Sequence, residues 1–151
     1  MGFYMKDFIE QRIVGAVRTL LADQVNAILQ DSEFVIPVIE FGNYCGGLVV
    51  TPEILLASCE QTEKERIIKL DAYSLTLSFS LPPSPESELC CYAFAWAVGR
   101  ALYDNPTLGG IADRVEITGK KFIPPKSVHC GEGWGLVISL RITVEQWRMG
   151  E

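Results

Sequence analysis

Two short segments of this chain carry residue types from which binding or catalytic sites are built. The first, NPTLGG at 105–110, has paired glycines whose backbone amides could face a phosphate. A phosphate cradle needs its glycines between a strand and the N-terminus of a helix. Here a predicted helix precedes the glycines and a predicted strand follows them. Leu108, Gly109 and Gly110 are therefore predicted to form a turn that reverses the chain after Pro106.

The second segment holds His129, Cys130 and Glu132, which combine a base, a thiol and a carboxylate. Neighbours on an extended chain point to opposite faces, so His129 and Cys130 are not expected to act as a nucleophile–base pair. Cys130 and His129 together with Cys90 or Cys91 match no established spacing of zinc ligands. We expect no catalytic residue, metal or cofactor. A small cytoplasmic enzyme with a pocket beside His129 stays the less favoured alternative.

Composition and charge point to a protein that works with other proteins. The chain has 151 residues, 48% of them hydrophobic, and is expected to form a single domain over 1–151. Its net charge of −6 provides no basic stripe for nonspecific nucleic-acid binding. No apolar run is long enough to span a membrane, and the five cysteines include no CxxC pair. A cytoplasmic location with reduced thiols is expected.

Hydrophobic periodicity predicts the first half of the fold. Apolar residues at steps of three and four predict a helix over 4–29, and a β-branched run predicts an edge strand over 34–42, broken or limited by Pro37. Residues 54–81 are predicted to form a long hairpin. Within it, the alternation from Tyr73 to Leu81 predicts one buried face and one polar face. The opposite parity upstream predicts a β-bulge or a change of packing partner near Asp71.

The second half is predicted to add one helix and two strands. The helix spans 89–105, with Ser84 as its N-cap, and the strands span 113–123 and 135–145. The fold class is thus α+β: a mostly antiparallel sheet of about four to five strands, with two main helices on one face and a long projecting hairpin.

Three sets of residues are candidates for contacts between subunits. The 89–99 segment carries no charge, so Phe94 and Trp96 are predicted to be buried against a neighbouring copy. The polar face of the central strand, with Ser74, Thr76 and Ser78, would meet a neighbour or line a channel. The charged hairpin tip is either a solvated loop or an arm that reaches to another chain; its candidate residues are Glu63, Lys64, Glu65 and Arg66.

The order of these elements resembles the tail terminator, or tail completion, proteins of long-tailed phages and prophages. The resemblance covers nearly the whole chain. The segments that carry it are YMKDFIEQRI, ERIIKLDAYSLTLSFSLP, CYAFAWAVGRAL, DNPTLGGIADRVEITG and HCGEGWGLVISLRITVE. Within these, only the Leu108-Gly109-Gly110 turn matches position by position, so no functional residue is carried over.

The resemblance implies an α+β fold and a structural role without catalysis. Such proteins form hexameric rings at the head-proximal end of the tail tube, where they stop tube polymerisation and present a surface for joining the head. The implied partners are other copies of the chain, the tail tube protein and a head-completion protein, with DNA only passing through the lumen. The implied locations are the bacterial cytoplasm during assembly and then the virion tail. Another head–tail connector or head-closure protein is the alternative.

Overall fold

A computed structural model of the chain describes residues 8–30, 32–33, 35–42, 48–63, 68–126 and 133–147. These residues form an α+β fold in which an antiparallel sheet packs against two helices. The sheet, called the main sheet below, has the order β3-β4-β6-β5 among the described residues. Its strands are β3 (Glu53–Glu63), β4 (Ile68–Ser80), β5 (Arg114–Ile123) and β6 (Gly135–Trp147). The predicted fold class is confirmed.

The N-terminal helix is continuous but changes its winding. It runs as α1 (Ile9–Thr19), a π-helical segment (Leu20–Val25) and α2 (Asn26–Leu29), while positions 4–7 of the predicted helix lie outside the described residues. Its fully buried side chains recur every four residues, at Ile13, Val17, Leu21 and Val25, and Leu20 is buried beside Leu21. Steps of four overshoot an α-helical turn of 3.6 residues. The wider π-helical turn brings the apolar stripe back over the core.

Alternation along β4 and β6 builds the core of the protein. The inward residues of β4 from Tyr73 to Phe79 are buried, as are those of β6 from Leu136 to Val144. Asp71 is also buried and continues the inward row of β4. No register shift separates β4 from β6, so the bulge predicted near Asp71 is wrong. The register shifts lie instead in the outer strands, between Leu56 and Ser58 and between Ile117 and Gly119.

The predicted strand over 34–42 is reduced to two residues. β1 (Val38–Ile39) pairs in parallel with β2 (Val49–Val50), after Pro37. On its other side the backbone of Ile39 is bound by the side chain of Asn26. The Asn26 Nδ2 donates to the Ile39 carbonyl at 2.9 Å, and the Ile39 N–H donates to Asn26 Oδ1 at 2.9 Å. One amide side chain thus takes the place of a neighbouring strand.

The second helix, α3 (Ser87–Asp104), does not begin directly after Ser84, the predicted N-cap residue. Ser84 does not cap it: Glu86 occupies the N-cap position, without a side-chain hydrogen bond. Ser87 is buried, and its hydroxyl accepts a hydrogen bond from the Trp134 N–H at 2.9 Å. This contact ties the start of α3 to the segment that leads into β6.

Over the described residues, both strands of the long hairpin, β3 and β4, are part of the main sheet. β6 pairs with β4 from Ser80 back to Ile68, so a third strand accompanies the hairpin. β5 pairs with β6 only as far as Thr143. The hairpin therefore extends beyond β5 together with β6, rather than as an arm of two strands.

Candidate functional site

The exposed side of α3 carries a row of large apolar side chains. Leu89, Tyr92, Trp96 and Tyr103 follow one another at helical spacing and share one face of the helix. Trp96 is 59% exposed and Tyr103 is 82% exposed. The opposite face of α3 is packed on the sheet, with fully buried residues such as Ala97 and Val98. The four exposed residues are called the α3 stripe below.

The apolar surface continues from the α3 stripe onto β5. The rings of Tyr92 and Phe122 meet edge to face, with their centroids 5.3 Å apart. Phe122 is more than a third exposed, and its pairing with the buried Leu136 places it on the helix side of the sheet. Because β5 is an outer strand of the main sheet, the patch reaches the edge of the sheet. Exposed apolar surface of this kind is typical of protein–protein contacts.

Phe94 does not belong to this surface. It is fully buried, and its ring stacks on Phe79 of the sheet with centroids 5.4 Å apart. The absence of charge from 89 to 99 therefore has two causes: one side of the helix is core and the other is the α3 stripe. Of the two aromatic residues predicted at a subunit contact, only Trp96 is exposed.

The predicted polar face of the central strand, β4, lies on the face of the main sheet opposite the helices. Ser74 is exposed, and Thr76 and Ser78 are half-buried. On the neighbouring strand, Thr76 pairs with Ser139 and Ser74 pairs with Arg141. The open face thus mixes hydroxyl and charged side chains with apolar ones, since Leu55, which is 61% exposed, pairs with Thr76 and Val137 pairs with Ser78.

The predicted reaching tip is described only at its base. Glu63 is the last residue of β3, and its backbone pairs with Lys69 of β4. Lys64, Glu65 and Arg66 lie outside the described residues. Nearby, Lys69 Nζ donates to Gln61 Oε1 at 3.3 Å, which joins the two strands by an exposed contact.

The turn predicted at Leu108, Gly109 and Gly110 is confirmed. All three residues have positive φ, at 51°, 72° and 93°. The N–H groups of Leu108 and Gly110 donate to the carbonyls of Asn105 and Thr107 at 3.2 and 3.0 Å. These amides stabilise the turn and do not face outward toward a phosphate. Leu108 is buried, so the turn also anchors the end of α3 to the core.

One polar cluster was not predicted from the sequence. The hydroxyl of Tyr73 donates to Glu10 Oε2 at 2.8 Å, which joins the sheet to α1. Cys59, exposed on β3, and the buried Asp71 lie beside it. Desolvation and then the Asp71 carboxylate raise the pKa of Cys59, and the Tyr73 hydroxyl opposes the shift. The thiol is therefore not activated as a nucleophile. No sequence spacing could indicate a contact between residues 63 positions apart.

The two adjacent cysteines of α3 are structural. The Sγ of Cys90 donates to the Val35 carbonyl at 3.6 Å, and that of Cys91 to the Gly135 carbonyl at 3.5 Å. Burial raises the pKa of the Cys91 thiol to about 11, with smaller contributions from Cys90 and Glu88. Burial also raises the pKa of Cys90.

His129, Cys130 and Glu132 lie outside the described residues. Among the described residues, no group of His, Cys, Asp and Glu side chains is placed to hold a metal ion.

Comparison with known protein families finds no match, and comparison with curated proteins finds no relative. Within the described ranges, no helix is long and apolar enough to cross a membrane.

Proposed function

We propose that this protein is a structural component of a phage or prophage tail, acting as a tail terminator. Copies of the chain would form a ring of six subunits, as in the family that the chain resembles, at the head-proximal end of the tail tube. The ring stops tube polymerisation and provides the surface that joins the head. The proposal rests on a resemblance that covers nearly the whole chain and on surfaces that fit contacts between subunits.

The α3 stripe is the observation that carries the proposal. A helix that buries one face in the core and exposes Tyr92, Trp96 and Tyr103 on the other has apolar area to bury against a partner. Aromatic residues at such positions contribute most of the binding free energy in many interfaces. The stripe lies beside the edge strand β5, so helix and strand together offer a continuous contact surface.

A cyclic ring requires two different surfaces on each copy, because every contact joins one patch to another patch of the next subunit. The fold offers two such surfaces at opposite edges of the main sheet. α3 and β5 lie at one edge, while α1 packs near β3 at the other edge. This separation suits head-to-tail contacts that continue around an axis.

The first test is the mass of the assembly in solution. Light scattering on a sizing column should give a mass that is a multiple of 16.8 kDa, near six subunits, and electron microscopy should show rings. Trp96→Glu should lower this mass while the fold remains intact by circular dichroism. Val35→Glu is the matched control, because Val35 is a 73% exposed apolar residue outside the α3 stripe.

The second test concerns the tail itself. Protein added to tail tubes assembled from the tube protein of the same genome should bind one end of each tube and stop further growth. Tubes that keep growing with no protein at their ends would refute the tail-terminator function, even if the free protein forms rings. A connector or head-closure protein would instead bind the head portal without capping tubes.

A further inference from the structure

The two outer strands of the main sheet carry charges of opposite sign. β3 includes Glu53, Glu60 and Glu63 and no basic residue. β5 includes Arg114, Lys120 and Lys121, with Glu116 as its one acidic residue. In the described part of the chain, each of these strands pairs with a neighbour on one side only.

We propose that subunits join by pairing β5 of one copy with β3 of the next copy, in antiparallel register, with Lys121 against Glu53 and Arg114 against Glu60. The proposal rests on the proposed ring and names the surfaces that close it. The partner is therefore a second copy of this chain.

Strand direction permits this pairing without any change of fold. Every neighbouring pair in the main sheet is antiparallel, so β3 and β5 run in opposite directions. A second copy placed beside the first in the same orientation presents its β3 antiparallel to β5. The backbone groups on the outer side of each strand then find partners, as in recognition by strand addition.

The register of the sheet places the opposite charges at the same levels. One row of paired residues runs from Glu53 through Ser78 and Val137 to Lys121. Another row runs from Glu60 through Ala72 and Thr143 to Arg114. If the next copy continues these rows, Lys121 meets Glu53 and Arg114 meets Glu60.

Both outer strands contain one register shift, and the two shifts lie one row apart in the sheet. Seven positions separate Glu53 from Glu60 on β3, and seven separate Arg114 from Lys121 on β5. Their partners Ser78 and Ala72 on β4 are six positions apart. Each outer strand thus has one extra residue between its two charges, so both charge pairs can form in one alignment. All four of these charged residues are exposed.

Charge also selects against the symmetric alternatives. Pairing β3 with β3 of a two-fold related copy would place glutamates beside glutamates, and pairing β5 with itself would concentrate its lysines. Charged residues and bulges are common devices that prevent outer strands from pairing with their own kind. Here the opposite signs leave the β5-to-β3 contact as the favourable one, because complementary charge sets specificity and orientation.

Reversing the charges on one outer strand at a time tests the proposal. One variant combines Arg114→Glu with Lys121→Glu, and the other combines Glu53→Lys with Glu60→Lys. Each variant alone would place like charges at both rows, and we expect the dissociation constant of the contact to rise by about tenfold or more. An equimolar mixture of the two variants restores opposite charges at every contact, so it should recover the mass of the wild type.

Lys120→Glu is the matched control. Lys120 is exposed on the same strand, but it pairs with the buried Ile138 and so lies on the helix side of the sheet. Lys120→Glu changes the net charge in the same direction as the Arg114→Glu and Lys121→Glu variant, by half as much, and leaves the two charged rows intact. Its mass should stay close to that of the wild type.

The outcomes separate this inference from the proposed function. If the wild type assembles and both reversed variants assemble equally well, strand pairing is refuted and the ring must close through another surface. If the reversed variants dissociate but their mixture does not recover, the proposed pairing of rows is refuted. A wild type that stays monomeric at every concentration also refutes the pairing, while the binding of tube ends still decides the tail-terminator function.

Discussion

Replacing Asn26 with alanine should destabilise the protein more than any other change of a half-buried polar residue in the N-terminal helix. The Asn26 side chain holds both backbone groups of Ile39, and its Nδ2 also donates to the Ala22 carbonyl at 2.7 Å. Ile39 is 1% exposed, so its N–H and C=O have little access to water once the amide is removed. The substitution removes the contact that joins the helix to β1.

The size of the effect follows from the two backbone groups that lose their partner. A buried donor or acceptor left unsatisfied costs about 1–3 kcal/mol. Alanine offsets part of this loss, because it favours a helix over asparagine by up to about 0.7 kcal/mol. Some water can reach the site, since Asn26 itself is half-buried. We therefore expect a loss of about 2–4 kcal/mol, a large share of the ~5–15 kcal/mol of a typical domain.

Urea unfolding followed by circular dichroism measures this loss. Gln30→Ala, at an exposed position one turn later, is the control and should change the free energy of unfolding by less than about 0.5 kcal/mol. Asn26→Asp keeps the acceptor for the Ile39 N–H but places a carboxylate oxygen near the Ile39 carbonyl. It should be nearly as unstable as the alanine variant at pH 7. If Asn26→Ala and Gln30→Ala unfold at the same urea concentration, the reasoning is wrong.

Three further predictions concern the turn and the buried titratable groups. Gly110→Ala should destabilise by about 1 kcal/mol or more in urea unfolding, because φ is 93° at Gly110 and an alanine there is strained. The pKa of Cys91 is raised to about 11 in the folded protein. The contribution of the buried thiol to stability is therefore complete below pH 9 and is lost as the pH rises toward 11. Cys91→Ala should remove that part of the pH dependence. Burial and the hydrogen bond to Glu10 also raise the pKa of Tyr73, so stability should fall further above pH 10, and Tyr73→Phe should abolish this component in unfolding measured from pH 9 to 11.5.

Periodicity predicted most of the main sheet and both helices, because their burial follows a simple repeat. The alternation in β4 places Leu75 and Leu77 inward in both the prediction and the structure. The same reasoning failed at Asp71, where a buried carboxylate continues an apolar row. A periodicity rule treats such a residue as a break in the pattern. Whether Asp71 interrupts the buried row depends on the groups around it in three dimensions, which the sequence does not reveal.

The helix α3 shows how composition can indicate a surface without locating it. An uncharged segment predicted apolar surface on more than one side of the helix, and α3 has one apolar face buried in the core and another that is exposed. Composition could not tell which aromatic residue packs on the sheet, since Phe94 and Trp96 are only two positions apart. The assignment depends on where β4 places Phe79, the ring that stacks on Phe94. The contacts of Asn26 with Ile39 were missed for the same reason, because they join separate elements.

The α3 stripe and the charged outer strands are more informative together than apart. An outer strand with exposed apolar residues, such as Leu55 on β3 and Phe122 on β5, tends to pair with any available strand. Charged residues on these strands favour solubility whatever their sign, so charges of the same sign on both strands would be equally effective. Opposite signs at matching levels instead favour one partner. Because α3 packs beside β5 and α1 beside β3, that pairing would also bring the α3 stripe of one copy toward α1 of the next. A single head-to-tail contact would then cover the exposed aromatic residues and satisfy both sheet edges.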